Sequence, residues 1–361
     1  MNVIAKFEIS LRAIKNKVFE TRKKLGKYTK VCAVVKANAY GFGLEKIASV
    51  IKNHVDYFAV ARVYELERLR NYGVYNKVLV LSPIVEVRQI VKALKLNAEI
   101  TIINKESLIE INRIAENLNI IAKVHLKVDT GMNRFGIKDI NEFKEVLETA
   151  NGLYSVSIVG LYSHFACADN DIIVTEQIEY FERFLNVCHK KGFFPLTHIS
   201  SSKRAMDTKY AYDMVRLGID LYEIDDAIKM TGEIVSLKEV KAGECIGYNY
   251  SYKACKDMTI ACVNIGYGDI AIRHLSNKGK VIIKDKVCDI VGNVCMDCLF
   301  VNVTKLDVNI GEYVILFGKT NQNAISICEI ADMCGTISYE LFTSISERVK
   351  RIYKWEFVCK L

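Results

Sequence analysis

The chain has 361 residues, 51% of them hydrophobic and 25% charged, which excludes a disordered or fibrous protein and leaves room for two globular domains. Its formal charge of +8 is modest and lies in segments where acids and bases interleave, as over residues 65–70. That pattern reads as a solvated surface and not as a nucleic-acid stripe, while an anionic substrate or cofactor stays compatible. Charge interrupts the first residues where a secretory leader needs an apolar run, and no stretch is long enough to span a membrane. With 12 cysteines, the expectation is a cytoplasmic chain with reduced thiols.

Through the first two-thirds, strand-like apolar runs alternate with helical patterns. The runs fall at 32–36, 56–61, 77–82, 97–102, 121–128, 156–163, 195–199 and 214–222. Amphipathic stretches at 11–25, 62–72, 107–118, 142–150 and 173–189 separate most of them. Eight strands with intervening helices predict an α/β fold, an N-terminal (β/α)8 barrel of the TIM type over residues 1–228. The first strand-to-helix turn is not Gly-x-Gly-x-x-Gly, which argues against a doubly wound dinucleotide-binding sheet. From about residue 230 the texture changes to short β-like runs punctuated by glycines, at 258–264, 280–284, 287–291, 299–303 and 313–317. These predict a C-terminal, mainly-β domain over 229–361. The single Cys-x-x-Cys, from Cys295 to Cys298, has no second pair and no histidine cluster at zinc spacing, so it reads as structural and no metal is expected.

Active sites of eight-stranded barrels gather at the C-terminal strand ends. The polar residues there are Lys36, Arg134, His164, Ser202 and Arg216. Taken alone, each has an ordinary reading: a snorkelling lysine, a core histidine, a loop serine, a barrel ion pair. Together on one rim they make a site.

The motifs around these residues are specific. Ala33-Val-Val-Lys-Ala-Asn-Ala-Tyr-Gly41, Asp129-Thr-Gly-Met-Asn-Arg134, Val215-Arg-Leu-Gly-Ile219, Gly247-Tyr248, Gly266-Tyr-Gly-Asp269, Val294-Cys-Met-Asp297 and Gly335-Thr-Ile-Ser-Tyr-Glu340 occur in register along nearly the whole chain. In this the sequence resembles alanine racemase, a pyridoxal 5'-phosphate enzyme built of a barrel and a β domain. The resemblance implies that Lys36 carries the cofactor and acts as one acid/base, with Tyr248 as the other on the opposite face. It implies that Arg216 faces the cofactor's pyridine nitrogen, with His164 beside it. Phosphate contacts fall to Tyr40, Ser202, Tyr339 and the backbone amides of Gly218 and Ile219, and the substrate carboxylate to Arg134 and the Met296 amide. Lys127 matches a lysine that is carbamylated in some members, and Asp297 lies beside the carboxylate site as a supporting residue. It further implies a homodimer in which the β domain of one subunit completes the barrel site of the other, and a role in supplying D-alanine for peptidoglycan.

The pattern also departs from the family. Phe42 stands where histidine is usual, Ser200-Ser201 replaces Ala-Asn, and Leu217 and Glu223 replace proline and glycine. Gly268 and Ile270 alter the Gly-Tyr-Ala-Asp-Gly motif, Lys350 replaces a proline, and Cys298 a glutamine. No reacting group is removed. The alternatives are a serine or broad-specificity racemase of the same fold, or a non-catalytic pyridoxal-phosphate-binding barrel. Tyr339 narrows the pocket toward alanine, and the second domain with Tyr248 separates the chain from the non-catalytic barrels.

Overall fold

The structure is a computed structural model, and it describes residues 5–200, 204 and 207–355. The chain forms two compact units. One comprises Lys15–Ala39 and Leu44–Leu221; the other joins the N-terminal segment through Ile14, Tyr40–Gly43 and the chain from Tyr222 onward.

The first strand, β1 (Lys6–Ser10), belongs to the second of these units. The barrel strands follow as β2 (Lys30–Val34), β3 (Tyr57–Val60), β4 (Lys77–Val80), β5 (Glu99–Ile102), β6 (Ala122–Lys127), β7 (Val156–Tyr162), β8 (Leu196–His198) and β9 (Met214–Leu217). They make one eight-stranded parallel sheet in the order β8-β7-β6-β5-β4-β3-β2-β9, so the first barrel strand pairs with the last in a nearly closed barrel. Each predicted apolar run overlaps one of these strands. The reason is physical: parallel strands covered on both faces are near-continuous apolar runs, as in Tyr57–Val60, where every residue is buried. The helices Leu44–Ile51, Val63–Asn71, Val87–Lys95, Lys105–Asn117, Ile140–Asn151 and Asp171–Lys190 connect them. Their starts are capped locally: Asn104 accepts from the Ser107 amide, Asp139 from the amides of Asn141 and Glu142, and Asn170 from Ile172 and Ile173.

In the other unit, a nine-stranded sheet is built around the 13-residue strand Ile228–Val240, labelled β10. The sequence reading placed β1 with the barrel. It instead pairs antiparallel with β10 and parallel with Lys350–Lys354. Lys350 donates its backbone N–H to the Ala5 carbonyl at 2.9 Å, a bond the family's proline cannot make. Two helices, Ile327–Cys334 and Ser338–Ser344, complete this mainly-β unit. Among the described residues, no helix is long and apolar enough to cross a membrane.

Candidate active site

β2 ends at Val34, and Lys36 opens a turn unlike the ordinary helix start after a barrel strand. Ala37, Asn38, Ala39 and Tyr40 have φ of 52°, 56°, 53° and 53°, a left-handed turn made without glycine. L-residues disfavour this conformation by about 1–2 kcal/mol each, so the surroundings must hold it. Glu65 does so from the first turn of Val63–Asn71. Its carboxylate is buried and accepts from the amides of Ala37 (2.6 Å), Ala61 (2.8 Å) and Arg62 (2.9 Å). Asn38 adds a second clamp, its Oδ1 accepting from the Leu44 amide at 3.0 Å and from Arg68 at 2.9 Å, while Arg68 is forked onto Glu45. The turn sets the direction in which Lys36 leaves the strand.

Burial pushes the Lys36 amine below the ordinary lysine range. Arg134 and Arg216 act the same way, and Glu65 opposes them. Lys127, on the last residue of β6, is buried and lowered to about 8 by its burial, with Arg216 and Arg134 adding and Asp129 opposing. His164 lies among these cations. Burial first, then Arg216, Arg134, Lys127 and Lys36, hold it at about 3, so its imidazole is neutral. Lys36, Arg134, His164 and Arg216, picked from separate strand ends, therefore converge in one place, and Lys127 joins them. Gly218 and Ile219 follow directly on β9, where a one-turn helix Ile219–Leu221 opens. Ser202 lies outside the described residues. Nearby in sequence, the Ser200 hydroxyl is buried without a hydrogen-bond partner among the described residues.

Arg216 is almost wholly buried in β9 and held from several sides. Nη2 donates to the carbonyls of Ser163 (2.8 Å) and Ile199 (3.1 Å) and to His164 Nδ1 (3.3 Å); Nη1 donates to the His198 carbonyl (3.2 Å) and to His198 Nδ1. Its guanidinium lies over the Tyr162 ring at 5.4 Å, and Tyr162 stacks on His198 at 4.8 Å. His198, His125 and Glu99, which continue from Arg216 into the barrel, and Glu65 behind Lys36 are residues that motif reading missed. His125 and Lys127 alternate with apolar residues in β6, the period-two signature of a polar inward face, and that signal was available.

In the other unit, Tyr40 and Tyr339 approach each other with ring centroids 6.0 Å apart, and Tyr40 packs on Tyr222 at 4.8 Å. Burial, then Tyr339, pushes the Tyr40 phenol well above its usual range, so it stays a donor. Phe42 is fully buried between Phe7 (5.0 Å), Tyr222 (4.9 Å) and Phe342 (5.0 Å). An aromatic cluster thus occupies the place of the family's histidine. Glu223, in place of glycine, accepts from the Ser338 hydroxyl next to Tyr339.

Tyr248 and Met296 line an open cavity of about 430 Å³ with Gly247, Cys295, Asp297, Cys298 and Phe300. Both are exposed, Tyr248 at 69% and Met296 at 52%. The Met296–Asp297 peptide sits against Gly266: a Cβ there would lie 2.2 Å from the Met296 oxygen. Arg348 ties Asp297 at 2.8 Å and Asp269 at 3.4 Å, giving Asp297 a bracing contact in the loop. Among the described residues no cluster fit to hold a metal occurs.

Comparison with known proteins matches nearly the whole chain to one family. The sequence profile of the alanine racemase N-terminal domain matches residues 9–226, and that of the C-terminal domain residues 227–353. Alanine racemase 1 of Caldanaerobacter subterraneus subsp. tengcongensis is 36% identical over 370 aligned positions, covering 97% of this chain and 94% of the relative. The alanine racemase of Methanococcus maripaludis is 35% identical, covering 96% and 97%. Among solved structures, the alanine racemase of Clostridium difficile superposes with a TM-score of 0.90 at 33% identity, over 99% of this chain and 98% of the other. That of Bacillus anthracis with bound L-Ala-P has a TM-score of 0.91 at 29% identity, over 98% and 96%.

Proposed function

The chain belongs to the alanine racemase family, and on that premise we propose that it interconverts L- and D-alanine with pyridoxal phosphate held at the barrel rim. The observation that carries this reading is the convergence of Lys36, Arg134, Lys127 and Arg216 around a neutral His164. The residues fit the cofactor. An amine with a lowered pKa suits carbonyl chemistry, the surplus of cations suits a phosphorylated, carboxylate-bearing complex, and the buried Ser200 hydroxyl has no partner among the described residues. When bound, pyridoxal phosphate supplies an electron sink that loosens the substrate's α-proton.

The chain's own groups do the rest. Lys36 would hold the cofactor and takes or returns a proton on one face; burial and the nearby arginines lower its pKa, which favours the neutral amine relative to an ordinary lysine. Tyr248 serves the opposite face. Arg216, being permanently protonated, would offer a hydrogen bond to the cofactor's ring nitrogen, and the group so held would supply limited charge delocalisation, which favours return of the proton over other outcomes. Tyr40, Tyr339, Ser202 and the Gly218 and Ile219 amides would hold the phosphate. Arg134 and the Met296 amide hold the substrate carboxylate, with Lys127 and Asp297 in support. The exposure of Tyr248 and Met296 in an open cavity supports a homodimer in which they are offered to a second copy of the chain. The setting is the cytoplasm, supplying D-alanine for peptidoglycan.

The test is exchange in heavy water. Purified protein incubated with L-alanine is expected to yield α-deuterated L- and D-alanine. Absence of exchange with alanine refutes the proposal, and faster exchange with serine moves it to a serine racemase.

A further inference from the structure

Behind Arg216 a chain of hydrogen bonds runs through the barrel interior, beyond any residue that contacts substrate or cofactor in the reading above. Arg216 Nη1 donates to His198 Nδ1. His198 Nε2 lies 2.9 Å from His125 Nδ1, and His125 Nε2 lies 2.7 Å from Glu99 Oε2. Tyr57 donates to the other oxygen of Glu99 at 3.4 Å, and Lys77, at the start of β4, donates to the Tyr57 hydroxyl at 3.3 Å. The chain thus connects β9, β8, β6, β5, β3 and β4, which only a path through the interior can do.

The donors have one possible order. A guanidinium cannot accept, so His198 Nδ1 carries the lone pair. A neutral His198 then bears its proton on Nε2 and donates to His125 Nδ1, and His125 donates from Nε2 to Glu99. His198 is held far below the usual histidine range by burial and then by Arg216, in keeping with a neutral ring. Burial acts to raise Glu99, but the hydrogen bond from His125, with Lys77 and Tyr57 adding, outweighs it and holds the carboxyl below its usual range. Glu99 is therefore the acceptor at which both arms of the chain end.

The backbone is shaped for this arrangement. The pairing of β6 with β7 shifts register between Val124 and His125, which sets His125 opposite Gly160. A Cβ on Gly160 would fall 2.0 Å from His125 Nδ1, so only glycine leaves room for the ring. Glu99, His125 and His198 are each nearly or fully buried. Barrel interiors are ordinarily filled with branched apolar side chains, and an apolar core here would be simpler to build.

We propose that Glu99, acting through His125 and His198, is a positioning residue for Arg216: it terminates a one-way hydrogen-bond chain that fixes how the guanidinium is presented at the barrel rim. With Nη1 and Nη2 committed to protein acceptors, the Nε edge is the one that has no acceptor among the described residues. The inference rests on the reading that Arg216 faces the cofactor's ring nitrogen.

Two measurements on the full-length protein test it. The first is ¹⁵N NMR of histidine-labelled protein, with and without added pyridoxal phosphate; with only 6 histidines the ring signals are assignable by single substitutions. His125 and His198 are expected as neutral rings protonated on Nε2. The second is kinetics of Glu99→Leu and Glu99→Gln. E99L is expected to disturb the His125 and His198 signals, alter the absorbance of the bound cofactor, and lower kcat about tenfold with KM for alanine held within about twofold, the change that one hydrogen bond lost at the transition state produces. E99Q keeps an acceptor oxygen and is expected to restore both signals and most of kcat. Should E99L fail to fold, His125→Gln cuts the chain one link higher and is expected to give the same loss of kcat. Protonation of His198 on Nδ1 in the wild-type protein overturns the inference, as do E99L or H125Q kinetics and spectra equal to wild type. A wild-type protein that leaves alanine unexchanged refutes the racemase reading instead, and the ring spectra still decide the order of the chain.

Discussion

Replacing Glu65 by glutamine keeps the size of the side chain and removes one acceptor, which makes it a sharp probe of the turn that aims Lys36. All the groups facing the carboxylate are donors: the Ala37 amide on one oxygen, the Ala61 and Arg62 amides on the other. A carboxamide offers one oxygen and one NH2, so one side must become N–H against N–H. A stranded buried N–H costs about 1–3 kcal/mol, and the bonds that remain lose their charge assistance, so a total near 3 kcal/mol follows. The left-handed turn from Ala37 to Tyr40 then loses the contact that offsets its strain. For a unit of this size, about 3 kcal/mol corresponds to a Tm lower by roughly 6–12 °C. Differential scanning calorimetry of Glu65→Gln, Glu65→Asp and Glu65→Ala tests this, and E65A is expected to fall at least as far as E65Q. Glu65 is also the charge that favours the protonated Lys36 amine, so E65Q is expected to load pyridoxal phosphate with an altered pH profile. An E65Q melting within about 2 °C of wild type would mean that the carboxylate does not hold the turn.

Three further outcomes follow from the geometry. Lys127 has a folded-state pKa of about 8, below the unfolded value, so the unfolded chain binds the extra proton between roughly pH 8 and 10.5 and stability rises with pH across that window. Lys127→Met in bicarbonate-free buffer is therefore expected to be more stable than wild type at pH 7, by up to about 3 kcal/mol, with the gap closing by about pH 10.5; urea midpoints that differ equally at both pH values contradict this. Phe42→His places ring nitrogens inside the cluster of Phe7, Tyr222 and Phe342 and is expected to cost about 2 kcal/mol by urea denaturation, with a neutral result showing that the site accepts the family's residue. Gly266→Ala pushes on the Met296–Asp297 peptide and is expected to raise KM for alanine about five- to tenfold with a smaller change in kcat, whereas an unchanged KM would separate that peptide from substrate binding.

Much of the barrel was legible because burial on both faces writes itself into local composition. Each of the eight apolar runs overlaps a strand, with ends that coincide or are displaced by up to five residues. The helices Leu44–Ile51 and Val87–Lys95 were not singled out; they are short, and Glu86 at the start of the second makes no side-chain cap. The partner of β1 was not legible at all, since β10 lies more than two hundred residues away and nothing in Lys6–Ser10 encodes which edge it joins. Glu65 looked like a surface acid opening a helix. Its placement at the third helical position was readable as a capping signature, but its reach to the Ala37 amide was not.

Composition, the eight runs and the ordered motifs determined the barrel, the mainly-β second unit and the family, because these follow from local periodicity and from residue types at fixed spacings. The sequence also named Lys36, Arg134, His164 and Arg216, each from its position at a strand end. Tertiary structure alone decided that these cations crowd one neutral imidazole, that Lys36 leaves its strand through a left-handed turn held by Glu65, and that Arg216 is backed by His198, His125 and Glu99. The reason is that hydrogen-bond direction and electrostatic crowding depend on distances between residues far apart in the chain, and no local pattern records them.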